Sequence, residues 1–232
     1  MLALLRLSPL IFLLMTITVP NQSNAAGLPD NAALALPDSE IPDDGWPTIL
    51  LLHGWGANKE DFSDVAALCA LRGVAAIAID APISLGENRR SWPRPGVSAY
   101  SSIEPSLDYI DGDDRFDRDR LFIGGFSQGG YQSLVLSNAH PERFSGVLSI
   151  SPGGAQKVEL SWAKDTPPQS LYLIYGTQEG SGILDLASDA ASQWKNAGLR
   201  VRVKTHAGGH HIPANWTTEL TDALEWLLET PE

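Results

Sequence analysis

The sequence predicts an α/β protein with a doubly wound, mostly parallel sheet and helices on both faces. Short apolar runs recur along the chain, at residues 48–54, 74–80, 121–126, 146–151, 170–176 and 199–205. Most of these runs are continuous rather than alternating, which is typical of parallel strands that are covered on both faces. Amphipathic stretches separate the runs, and the repeated strand-then-helix order indicates crossover connections between parallel strands.

The boundaries of the first two helices follow from residues that start or stop a helix. Asn58 can cap the first helix, with Asp61 facing back toward the cap, and Gly73 ends it. The second helix starts in a glycine cluster and ends before Pro141, because a proline disfavours helical backbone at the residue before it. Two further helices are predicted over about 183–197 and 216–229.

Two stretches, 80–106 and 152–169, fit no regular element because prolines and irregular patterning interrupt them. Both leave the carboxyl ends of predicted strands. Ligands bind at that edge of an open α/β sheet, so these stretches are predicted to form walls of a pocket.

The chain is predicted to hold one folded domain behind a signal peptide. Residues 1–26 combine a positive residue, a short apolar stretch and small residues near the end, which is the order found in secretory signal peptides. Residues 27–45 are rich in proline without sustained periodicity, and are interpreted as an extended lead-in. Residues 46–232 form the domain. The protein is therefore expected to be exported, either to a periplasm or out of the cell.

The net charge narrows the possible binding partners of the protein. The formal net charge is −12, which disfavours binding to nucleic acid or to anionic membrane surfaces. We therefore expect a small-molecule partner, and no stable membrane anchoring after the signal is removed.

Cys69 is the only cysteine, so no intramolecular disulfide can form, and its apolar surroundings predict a buried structural thiol. The composition leaves the oligomeric state open.

A glycine-rich turn carries the main chemical signal. Residues 124–130 read "GGFSQGG", directly after a predicted strand and before a predicted helix, and they contain G-x-S-x-G. Glycines at the flanks let the backbone close on a tight turn without a Cβ clash, and the turn exposes its serine hydroxyl above the sheet. Ser127 is therefore predicted to be a nucleophile.

A serine nucleophile needs a histidine base and an acid that orients the base. The loop "GGHHIP" follows the last predicted strand, and we favour His210 over His211 as the base. The acid is expected after the strand at 170–176, where Glu179 and Asp185 are both candidates. Glu179 lies in the loop and is favoured, since Asp185 begins the next helix, where an acidic residue has its own structural reason.

Two backbone amides are predicted to stabilise the oxyanion. One belongs to Gln128, at the start of the helix after the nucleophile. The other belongs to Trp55 in "HGWG", where Gly54 and Gly56 allow the amide to turn inward. His53 in the same loop is interpreted as a structural hydrogen-bonding residue rather than as a base.

These motifs resemble the carboxylesterase/lysophospholipase family of α/β hydrolases, which includes acyl-protein thioesterases. "GGFSQGG" is similar to the family's nucleophile turn, "HGWGANKEDF" to its oxyanion loop, and "HPERFSGVLSISP" to the segment after the nucleophile helix. The resemblance covers about residues 46–230. It implies an α/β-hydrolase fold and hydrolysis of carboxylic esters without a metal or cofactor. The family's G-H-x-I-P corresponds to 209–213, which selects His210.

The chain departs from the family at the acid and in the substrate loop. The family's H-G-x-x-D becomes "YGTQE", with Tyr175 for the histidine and Glu179 for the aspartate. The segment "RRSWP" resembles the family's tryptophan-bearing loop, and Trp92 and Arg90 are predicted to bind substrate. Trp55 and Ile183 are further candidates for an apolar acyl slot. Since no long insertion is present, we expect a minimal lid or none.

Two other functions remain open at this point. The altered acid motif is compatible with a degenerate hydrolase that binds a ligand without turnover. A peptidase or a polyester depolymerase would use the same Ser-His-acid chemistry.

Overall fold

A computed structural model describes residues 27–94, 97–153 and 170–229. Its main sheet has seven strands in the order β1-β3-β2-β6-β7-β8-β9, and β4 and β5 form a separate hairpin. Every pairing in the main sheet is parallel except that of β1 with β3. The strands are β1 (Ala32–Ala35), β2 (Trp46–Leu52), β3 (Ala75–Ile79), β4 (Ile83–Gly86), β5 (Arg89–Ser91), β6 (Phe116–Phe126), β7 (Gly146–Ile150), β8 (Ser170–Gly176) and β9 (Arg200–His206).

Within the described residues, five helices cover the two faces of this sheet. They are α1 (Ser63–Leu71), α2 (Tyr100–Asp111), α3 (Gln128–Ala139), α4 (Ser181–Asn196) and α5 (Trp216–Leu228). Helices α1 and α5 share one core cluster with the sheet, and α2, α3 and α4 share the other. The predicted doubly wound α/β fold is therefore confirmed.

The central strand β2 shows why its sequence is apolar without alternation. Leu50 belongs to the core on the α2, α3 and α4 side, and its neighbours Ile49 and Leu51 belong to the core on the α1 and α5 side. All three are at most 1% exposed. Burying each of these side chains contributes about 1.5–3 kcal/mol, so both faces of the strand stabilise the fold.

The first helical segment begins and ends where the sequence predicts. The Asn58 side chain accepts a hydrogen bond from the amide of Glu60, and Asp61 accepts one from the amide of Asn58, each at 2.9 Å. A 3-10 turn over Lys59–Phe62 leads into α1. Gly73 follows the helix with a φ of 78°, a backbone conformation that favours glycine.

Three elements were not predicted. The lead-in 27–45 contains β1, which pairs antiparallel with β3, so the sheet begins before residue 46. Residues 80–106 contain the β4–β5 hairpin and the first turns of α2. Helix α2 was not predicted because prolines disfavour helix in this segment, yet Pro105 lies inside the helix. Ile103, Leu107 and Ile110 bury one face of α2 at helical spacing.

Two predicted segments lie outside the described residues: the signal peptide at 1–26, and the pocket wall at 152–169 except for its first two residues. None of the described helices is long and apolar enough to cross a membrane. Cys69 lies on the buried face of α1 and is fully buried, and burial raises the pKa of its thiol to about 12.

Candidate active site

Ser127 occupies a sharp turn between β6 and α3. Its backbone has a φ of 56° and a ψ of −117°, a conformation that costs a non-glycine residue about 1–3 kcal/mol. Backbone hydrogen bonds hold the turn on both sides. The Ser127 amide donates to Ile150 at 2.9 Å, and the Ser127 carbonyl accepts from Tyr131 and Gly153, both at 3.0 Å. The neighbouring structure therefore fixes a strained backbone and lifts the hydroxyl above the sheet.

The flanking glycines are required because other backbone passes too close for a side chain. A Cβ on Gly125 would lie 2.6 Å from the carbonyl carbon of Gly129, and a Cβ on Gly129 would lie 2.6 Å from the carbonyl oxygen of His53. Both would also clash with the carbonyl oxygen of Leu52. The glycines of the motif are thus needed because β2, β6 and α3 approach each other closely.

Ser127, His210 and Glu179 form a hydrogen-bonded chain. The Ser127 Oγ lies 2.7 Å from His210 Nε2, and His210 Nδ1 lies 3.0 Å from Glu179 Oε2. The three residues follow β6, β9 and β8, so they meet at the carboxyl edge of the sheet. The Phe126 ring stacks on His210 with ring centroids 5.1 Å apart, which helps to orient the imidazole.

The surroundings of this chain assign its protons. The Glu179 side chain is fully buried, and an ionised carboxylate can only accept a hydrogen bond. His210 Nδ1 therefore donates its proton to Glu179. In the neutral imidazole this leaves Nε2 unprotonated, facing the serine hydroxyl. This is the tautomer that a general base needs.

Two backbone hydrogen bonds join the loops that carry the acid and the histidine. The amide of Gln178 donates to Gly208 at 2.7 Å, and the amide of Thr177 donates to His206 at 2.9 Å. At Gly176 a Cβ would lie 2.6 Å from the Gly209 carbonyl oxygen. A glycine at this position therefore permits the approach of the histidine loop to β8.

The alternative candidates for the acid and the base, Asp185 and His211, are not part of this hydrogen-bonded triad. Asp185 is exposed on α4, whereas Glu179 accepts the hydrogen bond from His210. His211 Nδ1 lies 2.9 Å from the carbonyl oxygen of Ile212, and its ring contacts His206 instead of the serine.

The predicted oxyanion donors flank Ser127. A Cβ on Gly54 would lie 3.4 Å from Ser127 Cβ, so the loop that carries Trp55 runs beside the nucleophile. The Trp55 side chain is 63% exposed. Among the described residues, no backbone carbonyl accepts a hydrogen bond from the amide of Trp55 or Gln128. Both N–H groups therefore stay candidate oxyanion donors.

The structure corrects the substrate-binding prediction for Trp92, whereas substrate binding by Arg90 stays a prediction. The Trp92 side chain is only 1% exposed and belongs to the core, so it does not line an acyl slot. The Arg90 guanidinium pairs with Asp80 at 3.2 Å. The Arg90 backbone also pairs with the loop after β2, since its amide donates to Ala57 and its carbonyl accepts from Gly56. Both residues hold the β4–β5 hairpin in place.

Sequence reasoning gave too little weight to Arg89 and missed the Gln128 side chain. Arg89 is exposed, and its guanidinium lies 5.4 Å from the centre of the Trp55 ring. The run "RRS" does not indicate which of its two arginines pairs with a carboxylate. The Gln128 carboxamide is hydrogen bonded to Ser91 and Trp92, across a gap in the sequence of more than thirty residues.

Ile183 lies near the histidine. A Cβ on Gly153 would lie 3.3 Å from Ile183 Cδ1 and 3.4 Å from His210 Cε1, so both side chains border the same small space. Among the residues that the structure describes, no group of three or more His, Cys, Asp and Glu side chains is arranged to hold a metal ion.

Comparison with known families agrees with the α/β fold. The sequence profile described as the alpha/beta hydrolase fold matches residues 47–181, which is more than half of the chain. The chain belongs to the α/β-hydrolase family. The matched region of this hydrolase includes Ser127 and Glu179, and the α/β-hydrolase membership expected from the sequence motifs is confirmed.

Named relatives of this α/β hydrolase include "Putative esterase NocK" from Nocardia uniformis subsp. tsuyamanensis, which is 29% identical over 148 residues. The match covers 61% of this chain and 42% of NocK. A second relative, the uncharacterized protein Rv2715 of Mycobacterium tuberculosis, is 30% identical over 113 residues, which cover 48% of this chain and 30% of that protein. The chain thus spans less than half the length of the curated relatives it matches.

Solved structures share the fold at low sequence identity. Esterase PE8 superposes with a TM-score of 0.69 and 18% identity, over 85% of this chain and 99% of that one. The Bacillus cereus carboxylesterase superposes with a TM-score of 0.65 and 18% identity, over 84% of this chain and 92% of that one. At these identities the likeness concerns the fold.

Proposed function

We propose that this α/β hydrolase is a serine esterase that cleaves carboxylic esters through an acyl-enzyme. The observation that supports the proposal most directly is the hydrogen-bonded chain from Ser127 through His210 to Glu179, with separations of 2.7 and 3.0 Å. A serine on a strained turn, a correctly oriented base and a buried acid together provide the groups that acyl transfer requires.

Acylation begins when His210 Nε2 takes the hydroxyl proton of Ser127 while Oγ attacks the ester carbonyl carbon. The carbonyl electron pair moves onto the oxygen, and the amides of Trp55 and Gln128 stabilise the resulting oxyanion. The carboxylate of Glu179 stabilises the imidazolium that forms. As the carbonyl reforms, the bond to the alcohol breaks, and the departing alcohol takes the proton from His210.

Deacylation repeats these steps with water as the nucleophile. His210 takes a proton from the water, the hydroxide oxygen attacks the acyl carbon, and the same two amides stabilise the second oxyanion. Collapse releases the carboxylic acid and returns the proton to Ser127. No metal or redox cofactor enters this sequence.

The surroundings favour small or single-chain esters as substrates. Trp55 and Ile183 offer apolar contact beside the serine, and Arg89 places a cation next to Trp55. Small esters and lysophospholipid-like esters are therefore the proposed substrates. Export is part of the proposal, because residues 1–26 have the features of a signal peptide. Mass spectrometry of the mature chain tests export, with cleavage expected after Ala25 or Ala26.

Labelling by a fluorophosphonate tests the esterase proposal. We expect wild-type protein to label and to hydrolyse short p-nitrophenyl esters, and Ser127→Ala to lose both activities, with kcat/KM lower by several orders of magnitude. Wild-type protein that binds esters without turnover would support the degenerate hydrolase instead. Faster cleavage of peptides or polyesters than of small esters in a substrate panel would assign the same chemistry to those substrates.

A further inference from the structure

Trp92 is a buried tryptophan whose polar atom has a specific partner. Its indole N–H donates to the carbonyl oxygen of His53 at 2.9 Å, and the whole residue is 1% exposed. His53 directly precedes Gly54 and Trp55, the loop beside the nucleophile. The buried ring therefore holds the start of the oxyanion loop through one directional hydrogen bond.

The His53 ring fixes the next peptide unit. Its Nε2 lies 3.0 Å from the amide of Ala81, and its Nδ1 lies 2.8 Å from the carbonyl oxygen of Gly54. A backbone amide can only donate, so Nε2 accepts, and the proton of the neutral ring lies on Nδ1 and is donated to Gly54. Burial lowers the pKa of His53, which favours this neutral form.

The direction of the Trp55 amide follows from that bond. The Gly54 carbonyl and the Trp55 N–H belong to one planar trans peptide unit, in which the two groups point in opposite directions. The Gly54 oxygen accepts from His53 and also from the amide of Ala57 at 3.2 Å. With its oxygen held by two donors, the peptide unit points its N–H away from them.

The Gln128 carboxamide connects the second amide to the same group. Its Oε1 accepts from the backbone amide of Trp92 at 3.0 Å, and its Nε2 donates to the Trp92 carbonyl oxygen at 3.1 Å. Its contacts to the Ser91 hydroxyl are 3.2 and 3.3 Å. Gln128 thus pairs with the Trp92 backbone, while its own N–H, at the first residue of α3, donates to no backbone carbonyl among the described residues.

We propose that the Gln128 carboxamide, Trp92 and His53 form a positioning network that sets the separation and direction of the two oxyanion amides. The hydrogen bonds run from the start of α3 through Trp92 and His53 to the Gly54–Trp55 peptide. Both amides are therefore connected to Trp92, the Gln128 amide through the Trp92 backbone and the Trp55 amide through the Trp92 indole and His53. The inference depends on the proposed esterase function, since it assigns side chains that act through the Trp55 and Gln128 amides. These side chains are positioning residues and do not touch substrate.

The test uses Trp92→Phe, which removes the indole N–H but keeps a large buried ring. Trp46→Phe is the matched control: Trp46 is 5% exposed, donates its indole N–H to Ser39 at 3.3 Å, and begins β2 at the end opposite the site. Active sites are counted by fluorophosphonate labelling, and kcat and KM are measured on p-nitrophenyl acetate. Affinity is measured for a trifluoromethyl ketone, which adds to the serine and places an oxyanion between the two amides.

We expect Trp92→Phe to lower kcat per active site by about 10- to 100-fold, less than the loss of a whole oxyanion donor, with KM changed less than about twofold. Affinity for the trifluoromethyl ketone should fall by a similar factor. Trp46→Phe should lower only the melting temperature. A purely structural role for Trp92 predicts a lower melting temperature with unchanged kcat per active site, and that result would overturn the inference.

A second variant, Gln128→Met, removes the carboxamide and keeps the length of the side chain and the backbone amide. We expect a similar loss of kcat. Because both changes act on one network, kcat of the double variant should be no more than about threefold below that of the less active single variant. Multiplying losses would mean independent effects and would contradict it. Wild-type protein that neither labels nor hydrolyses esters would remove the proposed function itself, an outcome separate from any result on these variants.

Discussion

Replacing Glu179 by glutamine removes one negative charge from the candidate triad and keeps the shape of the side chain. The Glu179 side chain is fully buried, and its Oε2 accepts from His210 Nδ1 at 3.0 Å. The amide oxygen of a glutamine can still accept that hydrogen bond. The change therefore tests the charge more than the geometry.

The expected loss follows from the electrostatic energy between the carboxylate and the imidazolium that forms in the transition state. At the observed separation of 3.0 Å, an effective dielectric constant of about 20 gives about 5.5 kcal/mol. The His210 side chain is 39% exposed, so water screens part of this energy, and about 3 kcal/mol is the lower figure. These values correspond to a loss of about 10²- to 10⁴-fold in kcat/KM.

Asp185→Asn is the matched control, since it also removes one carboxylate charge from the region between β8 and β9. Asp185 is exposed on α4, so we expect less than a twofold change in kcat/KM. Initial rates on p-nitrophenyl acetate and thermal unfolding should be measured for both variants. The melting temperature of Glu179→Gln should not fall, because the variant removes a buried charge whose Oε1 has no partner among the described residues.

The reasoning would be refuted if Glu179→Gln kept more than about a tenth of the wild-type kcat/KM, or if Asp185→Asn lost more activity than Glu179→Gln. Either result would mean that the buried carboxylate does not support the base. A comparable loss in both variants, with a lowered melting temperature in each, would point to damage of the fold.

Three further predictions concern other parts of the molecule. Gly129→Ala places a Cβ against the Leu52 carbonyl oxygen, so we expect a loss of about 3 kcal/mol or more in unfolding free energy, whereas Gly182→Ala, with no atom in reach of its Cβ, should fold normally in a denaturant titration. Cys69, with a pKa raised to about 12, should resist a disulfide reagent at pH 8 until the protein is unfolded, and rapid reaction of the native protein would contradict its burial. Arg89→Gln should lower kcat/KM for mono-p-nitrophenyl succinate about fivefold more than for p-nitrophenyl acetate, an effect of about 1 kcal/mol at an exposed site, and equal losses would remove any role in anion recognition.

The places of Ser127 and His210 in the candidate site could be predicted because short local segments determine them. The turn at Ser127 needs glycines within two residues on either side, where β2 and α3 leave no room for a Cβ, and this requirement is visible as a motif. The choice of Glu179 over Asp185 depended on separating a loop from a helix N-terminus, and in the structure α4 begins at Ser181, between these two residues.

The roles of Trp92 and the arginines could not be predicted from local sequence. Trp92 looked like a loop tryptophan beside a substrate, and its burial depends on where the β4–β5 hairpin lies relative to β2 and α3. Arg89 and Arg90 are adjacent and chemically identical. Of the two, only Arg90 forms an ion pair with Asp80, which directly follows β3. Such choices are set by tertiary contacts, which leave no periodic or spacing signal in the sequence.

The sheet ends differently at its two outer strands, and this bears on how the protein can be shortened. The outer strand β9 carries alternating cationic residues, which discourage pairing with another chain. At the other side β1 covers β3, whose five residues are all buried. A chain that begins at Trp46 would leave the open hydrogen-bonding side of β3 uncovered. We expect such a truncated protein to self-associate through that strand, even though every group of the proposed triad would still be present.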